Sequence, residues 1–346
     1  MSKLLPYFHY NKDNGMLLNL LEYHWAEDLD EALFLLARTD VRTVPLAGGT
    51  YLLGHEDEEI QAVVDLRDLG LAYIEEDKRA ANGQAHLRIG AMTTLQTLSE
   101  SPLLREIATG VLCQAAHASA SSLLVRNSAT LGGTLAAGVK SQADLLTVLA
   151  VLEAEVVLRS GSRTQVDLAG GSLERPGLAL PGVTFKGKHE RRVPFLALND
   201  ELRPNELITE VAIPRPAASC GGSFIRVGRT SGDVALLNVA AVVEVKNDIY
   251  HRVRIALGGV NMEPMRLLAV ERQLEGQPAN QKGDNVLDVQ RLASALQAGM
   301  ATFAPPSDFR TSSGYRRVVG MNLAFRSLEE ATNVSRWHTM VSSEGS

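Results

Sequence analysis

At 346 residues, with 45% hydrophobic and 21% charged side chains, the chain has the composition of an ordinary folded protein, which excludes wholesale disorder and collagen-like repetition. Its 34 basic and 40 acidic residues leave a net charge of -6 without any block of like charge, so nucleic acid is not the expected partner. The two cysteines, Cys113 and Cys220, are far apart, which excludes a CxxC metal site or an iron-sulfur cluster built from this chain alone.

The opening MSKLLPYFHYNKDNG lacks the apolar core of a secretory signal, and the densest apolar run, Leu145 to Leu152, is cut by Glu153. Neither a leader nor a membrane span is expected, and the cytoplasm is the default compartment. Further on, EDLDEALFLLAR places Leu29, Ala32, Leu33, Leu35 and Leu36 on one helical face, with Asp28 and Asp30 where the helix dipole favours acids. A β-prone run, Thr43 to Leu46, then meets Gly48-Gly49, and a second apolar run follows at Ala62 to Leu66. AHLRIGAM reads as a strand ending at Gly90, with Thr93 or Thr94 placed to cap a helix that starts near Leu95. The spacing of Leu104, Ile107, Ala108, Val111 and Leu112 predicts one longer helix, Leu103 to His117. The small-residue stretch SASSLLVRNSATLGGTLAAG precedes a helix over about Gln142 to Leu152 and a strand, AEVVLRS. From Gly161 to Arg192 periodicity is lost and Gly and Pro accumulate, so a long loop or irregular strand excursion is expected. ELITEVAIPRP is followed by FIRVG, VAAVVEV and HRVRIALGGV, a meandering antiparallel sheet. Helices around Leu267 to Leu274, Val289 to Ala301 and Ser313 to Ala331 close a C-terminal α+β domain, with a frayed polar tail after Asn333.

Two segments have the chemistry to hold a ligand. In Leu46-Ala47-Gly48-Gly49-Thr50-Tyr51-Leu52-Leu53, two residues without Cβ at a strand end let backbone N–H groups approach a phosphate, and Thr50 adds a hydroxyl. A tight turn with no ligand uses the same residues. Asn127-Ser128-Ala129-Thr130-Leu131-Gly132-Gly133-Thr134 again sets a hydroxyl beside a Gly-Gly pair, and two such loops suit a pyrophosphate gripped from both sides. Neither is GxGxxG or GxxxxGK[ST], which disfavours a Rossmann dinucleotide site and a P-loop. Asp144, ahead of an apolar helix, either accepts from a cofactor hydroxyl or complements the helix dipole. Arg226 and Asp233 form either an ion pair or a cofactor contact. No nucleophile-base order, paired carboxylates or metal-ligand spacing stands out among the scattered histidines. The residues alone therefore describe a cofactor-binding chain with no visible catalytic side chain.

LAGGTYLL, RIGAMTTLQTL, VRNSATLGGTLAAG, ADLLTVLAVLEAEVVL, LRPNELITEVAIP, FIRVGRTSGDVALLNVAAVV, ALGGVNMEPMRLLAVERQLEG and DFRTSSGYRRVVGMNLAFRSL occur in that order. In this the chain resembles, over residues 7 to 331, the FAD-binding medium subunits of molybdenum hydroxylases, flavoproteins of the carbon monoxide dehydrogenase and xanthine dehydrogenase type. The resemblance implies an α+β chain with a PCMH-type (vanillyl-alcohol-oxidase-like) FAD-binding fold of two α/β subdomains, 1–58 and 59–220. A C-terminal α+β domain with an antiparallel sheet and helices, 221–332, and a flexible tail, 333–346, would follow. It further implies FAD as cofactor and two partners, a molybdopterin-binding large subunit that hydroxylates the substrate and a small subunit with [2Fe-2S] clusters. Electrons would pass from those clusters through FAD to NAD, a quinone or another acceptor. Such a division agrees with the missing catalytic triad, because a flavin carries the redox chemistry and the protein positions it.

Position by position, the resemblance assigns Leu46, Ala47, Gly48, Gly49, Thr50, Tyr51, Leu52 and Leu53 to the FAD pyrophosphate and ribityl region. Thr130, Leu131, Gly132, Gly133 and Thr134 would form a loop closing over the phosphates, and Asp144 would bind a cofactor hydroxyl. Ile208 would pack near the adenine or flavin, Arg226 stands beside the flavin where many relatives have Lys, and Ala120 falls where some relatives put an aromatic next to the ring. After the second loop, relatives read N-x-A-N-A-x-P-x-x-D, whereas this chain reads TLAAGVKSQAD, with Ala137 for an Asn, no Pro and one extra residue before Asp144. That departure raises an alternative, a non-catalytic scaffold or assembly paralogue that has lost tight FAD binding. A standalone flavin oxidase is a third reading, and no substrate-handling His, Cys or Tyr recommends it.

Overall fold

The structure, a computed structural model, describes residues 17, 19–54, 57–78, 85–138, 143–165, 183–230, 232–259, 264–281, 286–301 and 303–344. Strand β1 (Glu22–Trp25), helix α1 (Leu29–Leu36) and strands β2 (Thr43–Leu46) and β3 (Ala62–Asp65) build a parallel sheet in the order β1-β3-β2. Helix α1 forms where its pattern predicts: the Asp28 carboxylate accepts the Glu31 N–H at 2.9 Å, and Ala32, Leu33, Phe34 and Leu36 are buried. All four residues of β3 are buried, as a central strand requires.

The second sheet is antiparallel, with strands β4 (Ile74–Asp77), β5 (His86–Gly90), β6 (Glu155–Gln165), β7 (Val183–Pro194) and β8 (Glu206–Pro214) in the order β4-β5-β8-β6-β7. Between β5 and β6 the chain winds through α2 (Leu95–Glu100), α3 (Pro102–Arg105), α4 (Val111–Ala118), α5 (Leu123–Ser128), α6 (Leu131–Ala137) and α7 (Ala143–Val151). Thr94 caps α2, its Oγ1 accepting the Thr97 N–H at 3.1 Å. Leu98, Leu104, Leu131, Leu145 and Leu149 from these helices meet Leu87, Ile89, Val156, Val211 and Ile213 from the sheet in one core. A short α8 (Leu198–Glu201) joins β7 to β8.

The expected meander follows as β9 (Gly221–Val227), β10 (Leu237–Lys246), β11 (Ile249–Gly258) and β12 (Met265–Arg266), antiparallel throughout. Along β10, Leu237, Val239, Ala241, Val243 and Val245 enter a core with α9 (Leu268–Leu274), α10 (Val289–Gly299) and α11 (Ser313–Glu344). Ala240 and Val242 point the other way, into the core that holds α7. Burial on both faces explains why this strand reads as a continuous apolar run rather than an alternation. Among the described residues, no helix is long and apolar enough to cross a membrane.

Four local expectations change. The helix expected from Leu103 to His117 is broken between α3 and α4, because Ala108, Thr109 and Gly110 take positive φ values of 43°, 62° and 70°. The break serves the third sheet: the Gly222 N–H donates to Thr109 Oγ1 at 3.1 Å, and a Cβ on Gly222 would fall 1.9 Å from the Ala108 carbonyl oxygen. In the stretch from Gly161 to Arg192, β6 and β7 pair as a long antiparallel ladder from Glu155↔Pro194 to Gln165↔Val183, and 166–182 lie outside the described residues. Thr130 to Thr134, expected as a loop, instead cap and begin α6. Finally, the segment expected to be a frayed tail continues α11 as far as Glu344.

Candidate functional site

Strand β2 ends at Leu46 and the chain leaves through Ala47, Gly48 and Gly49, with Gly49 at φ 71°. One 3-10 turn, Leu52–Gly54, then brings it round; the Leu53 N–H donates to the Gly49 carbonyl at 3.0 Å and the Gly54 N–H to that of Tyr51 at 3.1 Å. The amides of Gly48, Gly49 and Thr50 donate to no acceptor among the described residues. A Cβ on Gly48 would fall 1.6 Å from the Ser128 carbonyl oxygen, so only glycine lets this turn lie against the end of α5.

The second glycine segment has a different character. Thr130 caps α6, its Oγ1 accepting the Gly133 N–H at 3.1 Å. The Leu131 N–H donates to Thr93 O at 2.9 Å, that of Gly132 to Ala91 O at 2.8 Å and that of Thr134 to Thr130 O at 2.9 Å. Every amide from Leu131 to Thr134 is thus used within the protein, and the expected phosphate-gripping loop is instead a helix start that shapes a wall. Leu131 and Thr134 turn inward and are buried, and the Thr134 Oγ1 makes no hydrogen bond among the described residues.

The two segments face each other, since a Cβ on Gly133 would stand 3.8 Å from that of Ala47. A cleft of ≈ 340 Å³ opens between them, lined by Ala47, Gly132, Gly133 and Ile208 together with Ala91 and Met92. Its remaining wall includes Arg203 and Glu206. Glu206 is already engaged: Arg191 donates to its two oxygens at 2.8 Å each and holds the carboxyl below the usual 4.5. Leu46 and Leu52 pack in a small core with Val63, while Tyr51 and Leu53 are exposed.

Asp144 and Arg226 come together at another place, where α7 meets β9 and β10. Asp144 is 2% exposed; Asn238 Nδ2 donates to its Oδ1 at 2.6 Å, and Arg226 Nε lies 3.3 Å from its Oδ2. Burial pushes the Asp144 carboxyl up, against the pull of Arg226 and Asn238. Asn238 can reach it because position 258 is glycine, whose Cβ would otherwise fall 2.2 Å from Asn238 Oδ1. Arg226 also donates to the Asp233 backbone carbonyl at 2.5 Å, and the Asp233 carboxylate pairs instead with Arg229 at 3.4 Å. Of the two expected arrangements, the Arg226–Asp233 ion pair is not formed; the half-buried Arg226 pairs with the buried Asp144 instead.

Ala120 is half-buried in the strap between α4 and α5, and Ser121 beside it faces the loop at Gly232, 3.6 Å from where a Cβ there would stand. Sequence reasoning missed Arg126, which holds this strap, and Asn238, which holds Asp144. A lone Asn inside the apolar LLNVAAVVEV run is the signal that points to Asn238. Both cysteines are buried, which raises their thiols, Cys220 to about 12. Among the described residues no group of His, Cys, Asp or Glu is arranged to hold a metal ion.

Comparison with known proteins covers residues 19–216 and 223–331. The family described as "FAD binding domain in molybdopterin dehydrogenase" matches residues 19–216, and "CO dehydrogenase flavoprotein C-terminal domain" matches residues 223–331. The chain is 29% identical over 312 residues to the glyceraldehyde dehydrogenase medium chain of Sulfolobus acidocaldarius, with 89% of this chain and 97% of that one covered. It is 26% identical over 310 residues to the carbon monoxide dehydrogenase medium chain of Hydrogenophaga pseudoflava, covering 90% and 96%. Among solved structures, the carbon monoxide dehydrogenase of Hydrogenophaga pseudoflava matches with a TM-score of 0.69 at 25% identity, over 91% of this chain and 98% of that one. Quinoline 2-oxidoreductase from Pseudomonas putida 86 shares the fold, with a TM-score of 0.70 at 24% identity over 91% and 98%. The chain belongs to the family of FAD-binding medium subunits of molybdopterin dehydrogenases, and is an oxidoreductase flavoprotein whose cofactor is FAD.

Proposed function

We propose that the chain carries electrons within a molybdopterin-containing hydroxylase complex, taking them from the [2Fe-2S] clusters of a small subunit and passing them to NAD, a quinone or another acceptor. Substrate oxidation then belongs to a molybdopterin-binding large subunit. The observation that carries this reading is the chemistry of the cleft. Its described walls are backbone and the side chains of Ala, Ile, Leu, Met and Pro, with two charged residues, Arg203 and Glu206, the latter held by Arg191. Such a site positions a cofactor and offers a substrate no acid, base or nucleophile.

FAD, when bound, supplies the electron-accepting and electron-donating chemistry. The chain's own residues bind and orient it. Gly48, Gly49 and Thr50 offer uncommitted amides to the pyrophosphate, while Ala47, Gly132 and Gly133 keep the passage narrow enough for backbone contact. Ile208 and Met92 give an apolar wall. Asp144 and Asn238 orient Arg226, a guanidinium that favours negative charge placed near it. The first glycine turn argues against a scaffold that has lost FAD, because uncommitted amides directly after Ala47, which lines the cleft, suit an anion.

The test is affinity purification of the tagged chain from its own cells. The proposal expects flavin, molybdopterin and non-haem iron in one complex. A chain recovered alone, with flavin that an organic substrate reduces directly, contradicts it.

A further inference from the structure

Helix α5 is turned inside out. Leu123, Leu124 and Val125 are 51%, 79% and 40% exposed, whereas its one charged residue, Arg126, is only 8% exposed. A guanidinium is tolerated in such a place only when its donors are satisfied. Arg126 Nε donates to Gln96 Oε1 of α2 at 2.8 Å, and Nη1 donates to the carbonyl oxygens of Ala120 and Ser121 at 2.7 and 3.0 Å. No carboxylate among the described residues pairs with it, so its role is to hold neutral oxygens rather than to balance an acid.

Those oxygens lie on α2 and on the strap that leads into α5; the far end of α5 has its own tie to α2, the Leu95 N–H donating to the Ala129 carbonyl at 2.9 Å, so Arg126 is the side chain that holds the near end. Ser122, at the N-cap, makes no side-chain capping bond, and a six-residue helix with its apolar residues outward gains little from packing at that end. The far end of α5 meets the first glycine turn, where the Ser128 carbonyl fills the space beside Gly48. The near end carries the strap at Ala120 and Ser121, against the loop at Gly232. One side chain therefore sets the orientation of an element that touches the cofactor turn at one end and the C-terminal domain at the other.

We propose that Arg126 is a positioning residue for FAD: by clamping Ala120 and Ser121 to Gln96 it holds α5 so that Ser128 shapes the Gly48–Gly49 turn. The inference rests on the reading of the cleft as the FAD site. It also explains why arginine is needed, since its planar fork reaches two elements at once and an ammonium meets only one set of oxygens.

The experiment is an FAD titration of the apo-chain, followed by flavin fluorescence, for wild type, Arg126→Met and Arg126→Lys. Thermal unfolding of each apo-chain and visible circular dichroism at saturating FAD are recorded alongside. Loss of the clamp is expected to weaken FAD binding about tenfold or more in Arg126→Met and to change the flavin dichroism, with Arg126→Lys in between. Apo unfolding remains cooperative. Gln96→Leu, which removes only the α2 acceptor, is the second variant should Arg126→Met not fold, and is expected to weaken binding about threefold. Variants that bind FAD as wild type does, with unchanged dichroism, overturn the positioning role alone. Wild-type chain that takes up no FAD overturns the cleft reading itself.

Discussion

Gly48 and Gly133 look alike in the sequence, each in a Gly-Gly pair followed by a threonine, yet they do different work. Gly48 is packed so closely on Ser128 that an added carbon has nowhere to go, and its amide and its neighbours' remain available. Gly133 has its amide bound to Thr130, and a Cβ there meets only Thr130 Oγ1 at 3.0 Å and Ala47 Cβ at 3.8 Å. The substitution Gly133→Asp is thus expected to leave the apo-fold within about 1 kcal/mol of wild type, while placing a carboxylate in the cleft beside the pyrophosphate. FAD affinity should fall about a hundredfold in the same titration format. A folded Gly133→Asp chain that holds FAD as tightly as wild type would remove the second segment from the site. The first turn was legible as a turn, because a strand end runs into two glycines, and as a ligand site only through the family resemblance. The availability of its amides was not, because what occupies each N–H is decided by distant residues such as Ala91 and Thr93.

At the scale of elements, the second sheet shows how a polar cluster is stabilised on a half-covered face. Glu210 on β8 accepts from the Tyr73 hydroxyl at 2.6 Å and from Arg88 Nε and Nη2 at 2.8 and 2.5 Å. Burial pushes its carboxyl up, but the bonds from Arg88 and Tyr73 outweigh that and hold it below 4.5. Because the folded value is the lower one, the stabilisation is full above 4.5 and drains away as the pH falls through the folded value. Glu210→Gln should therefore lower stability by about 1 kcal/mol at neutral pH, discounted for the partial exposure of Arg88, with the gap closing in acid. Urea unfolding at stepped pH measures it, and a gap that ignores pH contradicts the assignment.

Helix α11 teaches the complementary lesson. Its last turns looked like a tail because they are rich in Ser and Thr, but those hydroxyls are what dock it. Ser335 Oγ accepts the Val245 N–H and donates to Ser219 O, both at 2.8 Å, and Thr339 Oγ1 donates to Val245 O at 3.1 Å. Truncation after Thr332 leaves Val245 without these partners and should cost about 2 kcal/mol, seen as a lowered melting temperature. An unchanged melting temperature would restore the tail reading. Periodicity sees apolar stripes, and an element held by hydroxyls on a strand backbone has none to show. The break between α3 and α4 was hidden for the converse reason: Leu104, Ile107, Ala108, Val111 and Leu112 are all buried as the pattern predicts, and the contact at the bend is with the distant Gly222.

Across the whole molecule, the order of motifs along the chain carried the family, its α+β FAD-binding fold and the C-terminal antiparallel meander, while the joints between the parts are long-range and left no local pattern. The clearest joint is Glu153, just after α7, which pairs with Arg252, with Arg254 at 2.7 Å and with Arg266 at 3.2 Å. Arg254 and Arg266 continue to Glu275 at 2.5 Å and Glu271 at 2.6 Å. Helix α7 is thereby tied to β11, β12 and α9 by charge as well as by its place in the shared core. Glu153→Gln should lower stability by about 2 kcal/mol and split one calorimetric transition into two, as the C-terminal domain is released from its neighbour. A single unshifted transition would show that apolar packing alone couples them.

The central claim is that the cleft between the Gly48–Gly49 turn and the start of α6 holds FAD. Its most direct test is the visible absorption spectrum of the purified chain after incubation with excess FAD and desalting, with the released cofactor identified chromatographically. The account predicts both visible bands of oxidised flavin, retained through desalting and released as FAD. A folded chain that emerges colourless would contradict it.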